Sequence, residues 1–157
     1  MPDPFPHLHV ASGYSLQHGA SLPHLLVQRA ADHGMDLLAL TDRDGTYGAV
    51  KFVKACQQAG IRPVLGVDLA YRAVVPRSSA GRTPTRGGAY RDLPLEQGGP
   101  ARVRFLASAD TGGGRAGWAA LCRLVSAVHL AGERGNPVLA LTDLEHLPDE
   151  AATLPGS

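Results

Sequence analysis

Residues 36–69, DLLALTDRDGTYGAVKFVKACQQAGIRPVLGVDL, decide the fold class. The run DLLALTD (36–42) is short and almost continuously apolar, the pattern of a strand buried on both faces in a parallel sheet. Asp44-Gly45 makes a turn, Tyr47 to Ala59 reads as a helix, and Gly60 stops it, because glycine tolerates the left-handed conformation that ends helices. IRPVLGVDL (61–69) then reads as a second buried strand. A strand-helix-strand crossover within one sheet is right-handed in nearly all cases. The two strands are therefore expected to run parallel, with Asp42 and Asp68 closing them at a common rim.

Upstream, FPHLHV (5–10) alternates apolar and imidazole side chains. As a strand it would set His7 and His9 side by side on one face, with Phe5 and Ala11 near them. After the turn-like ASGYS, Ser21 is expected to cap a helix from Leu22 to His33, with Pro23 in its first turn and Gly34 after its end. Downstream, residues 72–101 form a basic Gly/Pro/Arg loop carrying Arg72, Arg77, Arg82, Arg86 and Arg91. A solvated surface insertion explains that composition, and contacts from Arg82 and Arg86 to DNA phosphates are the functional alternative. VRFLA (103–107) reads as a strand and Ala116 to Leu130 as a helix whose apolar face holds Trp118, Leu121, Leu124, Val125 and Val128. PVLALTD supplies one more strand, and residues 148–157 read as a flexible tail. Gly112 to Gly114 fit neither the P-loop frame nor the dinucleotide-binding frame and are read as loop.

Fifteen Lys and Arg against fourteen Asp and Glu leave a net charge of +1 on 157 residues, so any nucleic-acid contact must come from a local patch. A chain of this length excludes a large multidomain enzyme. No apolar run approaches the roughly 20 residues that span a bilayer, and no membrane partner is expected. Cys56 and Cys122 lie in helix-like apolar patterns and imply no disulfide framework, which suits a cytoplasmic protein.

Two imidazoles on a strand beside carboxylates at strand ends are a donor set for zinc, manganese or iron. Here the set is His7, His9, Asp42 and Asp68. Such a centre lowers the pKa of bound water and stabilises the charge of a phosphate ester under attack. The same residues also fit a plain structural reading, with one histidine packed on the core, one hydrogen-bonded, and Asp42 capping the turn after its strand.

The runs HLHVASGYSLQHGAS, LLALTDRDGTYGAVKFVKACQQAGIRPVLGVDL and RVRFLA with GWAALCRLVSAVHL, taken in order, carry a family resemblance. From Phe5 to Leu130 the chain resembles the N-terminal polymerase-and-histidinol-phosphatase (PHP) domain of bacterial DNA polymerase III alpha subunits. It is most similar to the error-prone type of high-GC actinobacteria, in which a stretch like TPTRGGAY (83–90) interrupts the domain. The resemblance implies an α/β fold, a partial distorted β/α barrel of parallel strands with flanking helices, over residues 1–147. It also implies attachment to the remainder of a polymerase alpha chain and to DNA, with repair-polymerase partners, because the nucleotidyl-transfer core does not fit in this chain.

Against the metal-competent pattern of that family, His9 is an unchanged match. The second histidine of its His-x-His falls at Ala11, its acid at His18, a histidine at Arg43, a glutamate at Asp68, and a further histidine near Arg102. A guanidinium does not deprotonate to ligate metal. His7, His9, Asp42 and Asp68 are thus expected to be a vestigial metal set, with Arg43 filling the pocket and pairing with Asp42, Asp44 or Asp68. No catalytic residue and no firm cofactor are implied, residual zinc or manganese aside. The expected function is a structural PHP fragment of an error-prone polymerase. The alternative is a free-standing metal-dependent phosphoesterase, either a 3′-5′ exonuclease or a phosphatase.

Overall fold

A computed structural model of the chain describes residues 5–72, 101–107, 114–132 and 137–140. The elements, in order, are α1 (Pro23–Asp32), β1 (Leu37–Arg43), α2 (Ala49–Ala59), β2 (Arg62–Arg72), β3 (Arg102–Leu106), α3 (Arg115–Ala131) and β4 (Val138–Ala140). The expected Arg82 and Arg86 contacts, the bulk of the basic loop and the 148–157 tail lie outside the described residues.

The β1-α2-β2 unit forms as its sequence dictates. Its strands are parallel from Leu37↔Arg62 to Arg43↔Asp68. Gly60 ends α2 at φ +72°, a conformation that a side chain would strain. β2 runs on past Asp68 to pair in parallel with β4 through Ala70↔Val138, so Asp68 lies inside its strand rather than at its end. The sheet is mixed rather than all parallel, because β3 runs antiparallel to β2 from Gly66↔Leu106 to Ala70↔Arg102. Apolar alternation in VRFLA reports which face is buried and carries no information on strand direction.

All three helices pack on one face of the sheet. Leu38, Leu40 and the partly buried Leu65 meet Val27 and Ala30 of α1 and Phe52, Ala55 and Cys56 of α2. Val67 and Leu69, with Val103 and Phe105 of β3, meet Leu121, Leu124 and Val128 of α3. The period of two places Thr41, Arg43, Asp68 and Arg102 on the opposite face.

At the N-terminus the expected cap is absent: α1 has Leu22 at its N-cap and no side-chain cap bond. Pro23 at the first helical position has no N–H to satisfy, which lowers the demand for a capping serine. Residues 5–11 run beside β1 without forming a regular strand. Ala39 N donates to His7 O (3.0 Å) and Thr41 N to Val10 O (2.8 Å), so a two-residue step along β1 matches a three-residue step along the segment.

Burial pushes the Cys56 thiol up to about 11. Thiolate formation is thereby confined to the unfolded chain between its ordinary range and that value. The contribution of this group to stability is complete below pH 9 and declines as pH rises towards 11. Folded protein at pH 8 is expected to leave Cys56 unmodified by a thiol reagent that labels it in denaturant, as read by mass spectrometry.

Candidate functional site

The site forms where β1 ends and the chain turns through Asp44, which holds a left-handed backbone at φ +57°. Asp tolerates that conformation better than most residues, so the turn expected at Asp44-Gly45 is made. Asp44 N donates to Asp68 O (2.8 Å), tying the turn to β2.

Asp42 and Asp68, expected at one rim, occupy different faces of the sheet. The cause is a one-residue offset: Asp42 pairs with Val67, whereas Asp68 pairs with Arg43. Asp42 lies on the helix-bearing face, 1% exposed. Its Oδ1 accepts from Ser12 N (2.7 Å), Ser12 Oγ (2.8 Å) and Ser15 Oγ (2.9 Å), and its Oδ2 from Gly48 N (3.1 Å). Ser12 Oγ also lies 3.0 Å from Oδ2, and Ser15 Oγ in turn accepts from Arg43 N (2.8 Å). The carboxylate thereby knits the 12–15 loop, the end of β1 and the start of α2. Gly48 is required for this approach, since a Cβ there would lie 2.6 Å from Asp42 Oδ2.

Asp68, on the other face, is 8% exposed. Its Oδ1 accepts from Arg102 Nε (3.1 Å), while Arg102 Nη2 donates to Asp44 Oδ1 (2.7 Å) and to Asp68 O (2.6 Å). One guanidinium therefore bridges two carboxylates and a carbonyl, with the Arg102 side chain 15% exposed. Arg102 reaches Asp68 because it sits opposite Ala70 in the antiparallel register, one diagonal step away on the same face.

Arg43, expected to fill this pocket by pairing with Asp42, Asp44 or Asp68, pairs with Asp44 and not with the other two. Its Nε is 3.9 Å from Asp44 Oδ2, and its Nη1 contacts His18 Nε2. The two histidines of the expected set are also separated. His9 Nε2 lies 3.6 Å from Asp68 Oδ2. His7 instead lines a cleft of about 290 Å³ with Val10, Leu26, Ala30, Met35 and Leu38 on the helix side. The extra residue between His7 and Val10 accounts for this split, because it breaks the two-residue alternation. His129 of α3 adds a contact from its Nε2 to Asp44 O.

Of the four residues proposed from the sequence, the structure thus brings His9 and Asp68 together and places His7 and Asp42 apart from them. Ser12 and Ser15 are the organising residues that sequence reasoning passed over. The Ser-rich turn ASGYS was their visible signal, since serine hydroxyls satisfy buried carboxylates at turns.

The donor set does not fit a metal centre. Asp68 and Asp44 are engaged by a group that carries positive charge and has no lone pair to offer a metal. Among the described residues, no three His, Cys, Asp or Glu side chains are grouped closely enough to hold an ion.

A PHP domain profile matches residues 7–152, and the chain belongs to that family. Its curated relatives are error-prone DNA polymerases. That of Nocardia farcinica is 35% identical over 148 residues, covering 84% of this chain and 13% of the relative. That of Mycobacterium bovis is 38% identical over 131 residues, covering 83% and 10%. The chain therefore spans only about a tenth of the length of these relatives. Among solved structures, an amidohydrolase from Chromobacterium violaceum with bound sulfate and no metal is 24% identical. That match covers 80% of this chain and 33% of the other, with a TM-score of 0.48. No helix of the described residues is long and apolar enough to cross a membrane.

Proposed function

We propose that this chain serves as the N-terminal PHP portion of a cytoplasmic error-prone DNA polymerase, acting there as a scaffold and not as a hydrolytic centre. The observation that carries this reading is the engagement of Asp42. Both of its oxygens are spent on donors of its own chain, so the carboxylate at the end of β1 organises the fold and presents nothing to a substrate. The similarity to error-prone polymerases over more than four-fifths of the chain supplies the larger context, in which DNA and the polymerase core are the partners.

Chain purified without chelator and supplied with manganese or zinc is expected to release neither nitrophenol from bis(p-nitrophenyl) phosphate nor nucleotides from 3′-labelled single-stranded DNA. Grafted in place of the matching segment of an error-prone polymerase relative, it is expected to support primer extension. Manganese-dependent turnover that disappears in Asp68→Asn would overturn the scaffold reading in favour of a phosphoesterase. A graft that folds yet abolishes extension would overturn the polymerase context.

A further inference from the structure

We propose that Arg102 is the built-in cation of this domain, its guanidinium standing between Asp44 and Asp68 as a permanent substitute for a metal ion. The inference rests on the scaffold reading above and specifies how the scaffold is held. A carboxylate in a strand and another in the turn beside it, both within reach of one guanidinium, repel each other and lose hydration when partly buried, so their environment demands a positive charge. Arg102 meets that demand with geometry that a lone ammonium lacks. Its Nε reaches Asp68 Oδ1 at 3.1 Å, while Nη2 reaches Asp44 Oδ1 at 2.7 Å and Asp68 O at 2.6 Å.

The nearest second donor, His9 Nε2, stands 3.6 Å from the other oxygen of Asp68. With the arginine removed, Asp44 and Asp68 lose the counter-charge they share, and among the described residues no three His, Cys, Asp or Glu side chains are grouped closely enough for a divalent ion to take its place. A covalently attached cation makes the local fold independent of metal supply and closes the space that a hydrolytic ion would need.

The test compares the melting temperature of the wild-type chain, Arg102→Ala and Arg102→Lys, each with and without millimolar manganese or zinc. Wild type is expected to be unmoved by either metal. Arg102→Ala is expected to melt about 5–10 °C lower and to stay there when either metal is added, because among the described residues no three donors are grouped to hold one. Adding Asp68→Asn to Arg102→Ala is expected to recover part of the loss, because it removes a carboxylate left without its counter-charge. Arg102→Lys, which keeps the charge but not the fork, is expected to fall between wild type and the alanine variant, and it carries the test if the alanine variant does not fold.

Three results would overturn the inference: an Arg102→Lys or Arg102→Ala chain that melts with wild type, an Arg102→Ala loss that Asp68→Asn leaves undiminished, or a wild-type chain that metal stabilises. If the first two occur without any phosphoester turnover, the scaffold reading stands and only the role of Arg102 falls. Metal stabilisation of the wild type accompanied by turnover would remove both.

Discussion

Asp42→Ala is expected to destabilise the fold by about 3–5 kcal/mol, read as a lower urea midpoint by circular dichroism with the slope unchanged. The variant removes one carboxylate and strands four donors: Ser12 N–H, Ser12 O–H, Ser15 O–H and Gly48 N–H. Leaving a buried donor without a partner costs about 1–3 kcal/mol, and relaxation of the 12–15 loop towards water recovers part of the sum. Asp42→Asn is expected to do little better despite its matching shape. Its amide NH₂ must face either the Ser12 and Ser15 donors around Oδ1 or the Gly48 N–H at Oδ2, so a donor meets a donor either way. A variant chain as stable as wild type would show that these contacts are dispensable and would weaken the case that Asp42 is a structural residue.

Phe52→Ala is expected to cost a comparable amount, about 3–5 kcal/mol, measured in the same way. Phe52 is 0% exposed and sits where α1, α2 and the β1-β2 pair meet, among Val27, Leu38, Leu40 and Ile61. Its removal leaves a void bounded by two helices and a sheet, which can close only by moving whole elements. The two substitutions are also expected to interact. Phe52 N donates to Gly48 O (2.9 Å), and Gly48 N donates to Asp42 (3.1 Å), so both residues hold the first turn of α2 against β1. Once one is lost that turn is already loosened, and the double variant is expected to lose less than the sum of the singles.

Much of the fold was legible because its signals are local. The period of the apolar residues in α2, the left-handed glycine after it and the apolar runs of β1 and β2 each depend on a few neighbouring residues, and their bounds fall within a residue or two of where they were expected, except that β2 runs three residues further, to Arg72. The direction of β3 was not legible, because it depends on how the chain returns to the sheet and not on the residues of the strand. The candidate site was legible as an inventory but not as an arrangement. Asp42 and Asp68 look equivalent in ALTD and GVDL, yet a register offset of a single residue sends them to opposite faces. His7 and His9 look paired, yet one extra residue against β1 parts them. Arg43 was the expected guanidinium because it stands where the family pattern has a histidine, and it does pair with Asp44. The group that bridges both Asp44 and Asp68 is Arg102, from a strand whose pairing brings it one diagonal step from Asp68.

The bridge made by Arg102 also bears on how freely this domain can vary in length. It joins positions 58 apart in the chain to Asp44 and 34 apart to Asp68, and Tyr71 N donates to Ala101 O (2.8 Å) at the same junction. The last residues of β2 and the first of β3 are therefore stapled at a fixed separation, whatever lies between them. With those ends held by their own contacts, the number of residues between them does not set the register of β2 and β3, whereas a shift of one residue at Arg102 itself would turn its guanidinium to the helix side, away from both carboxylates.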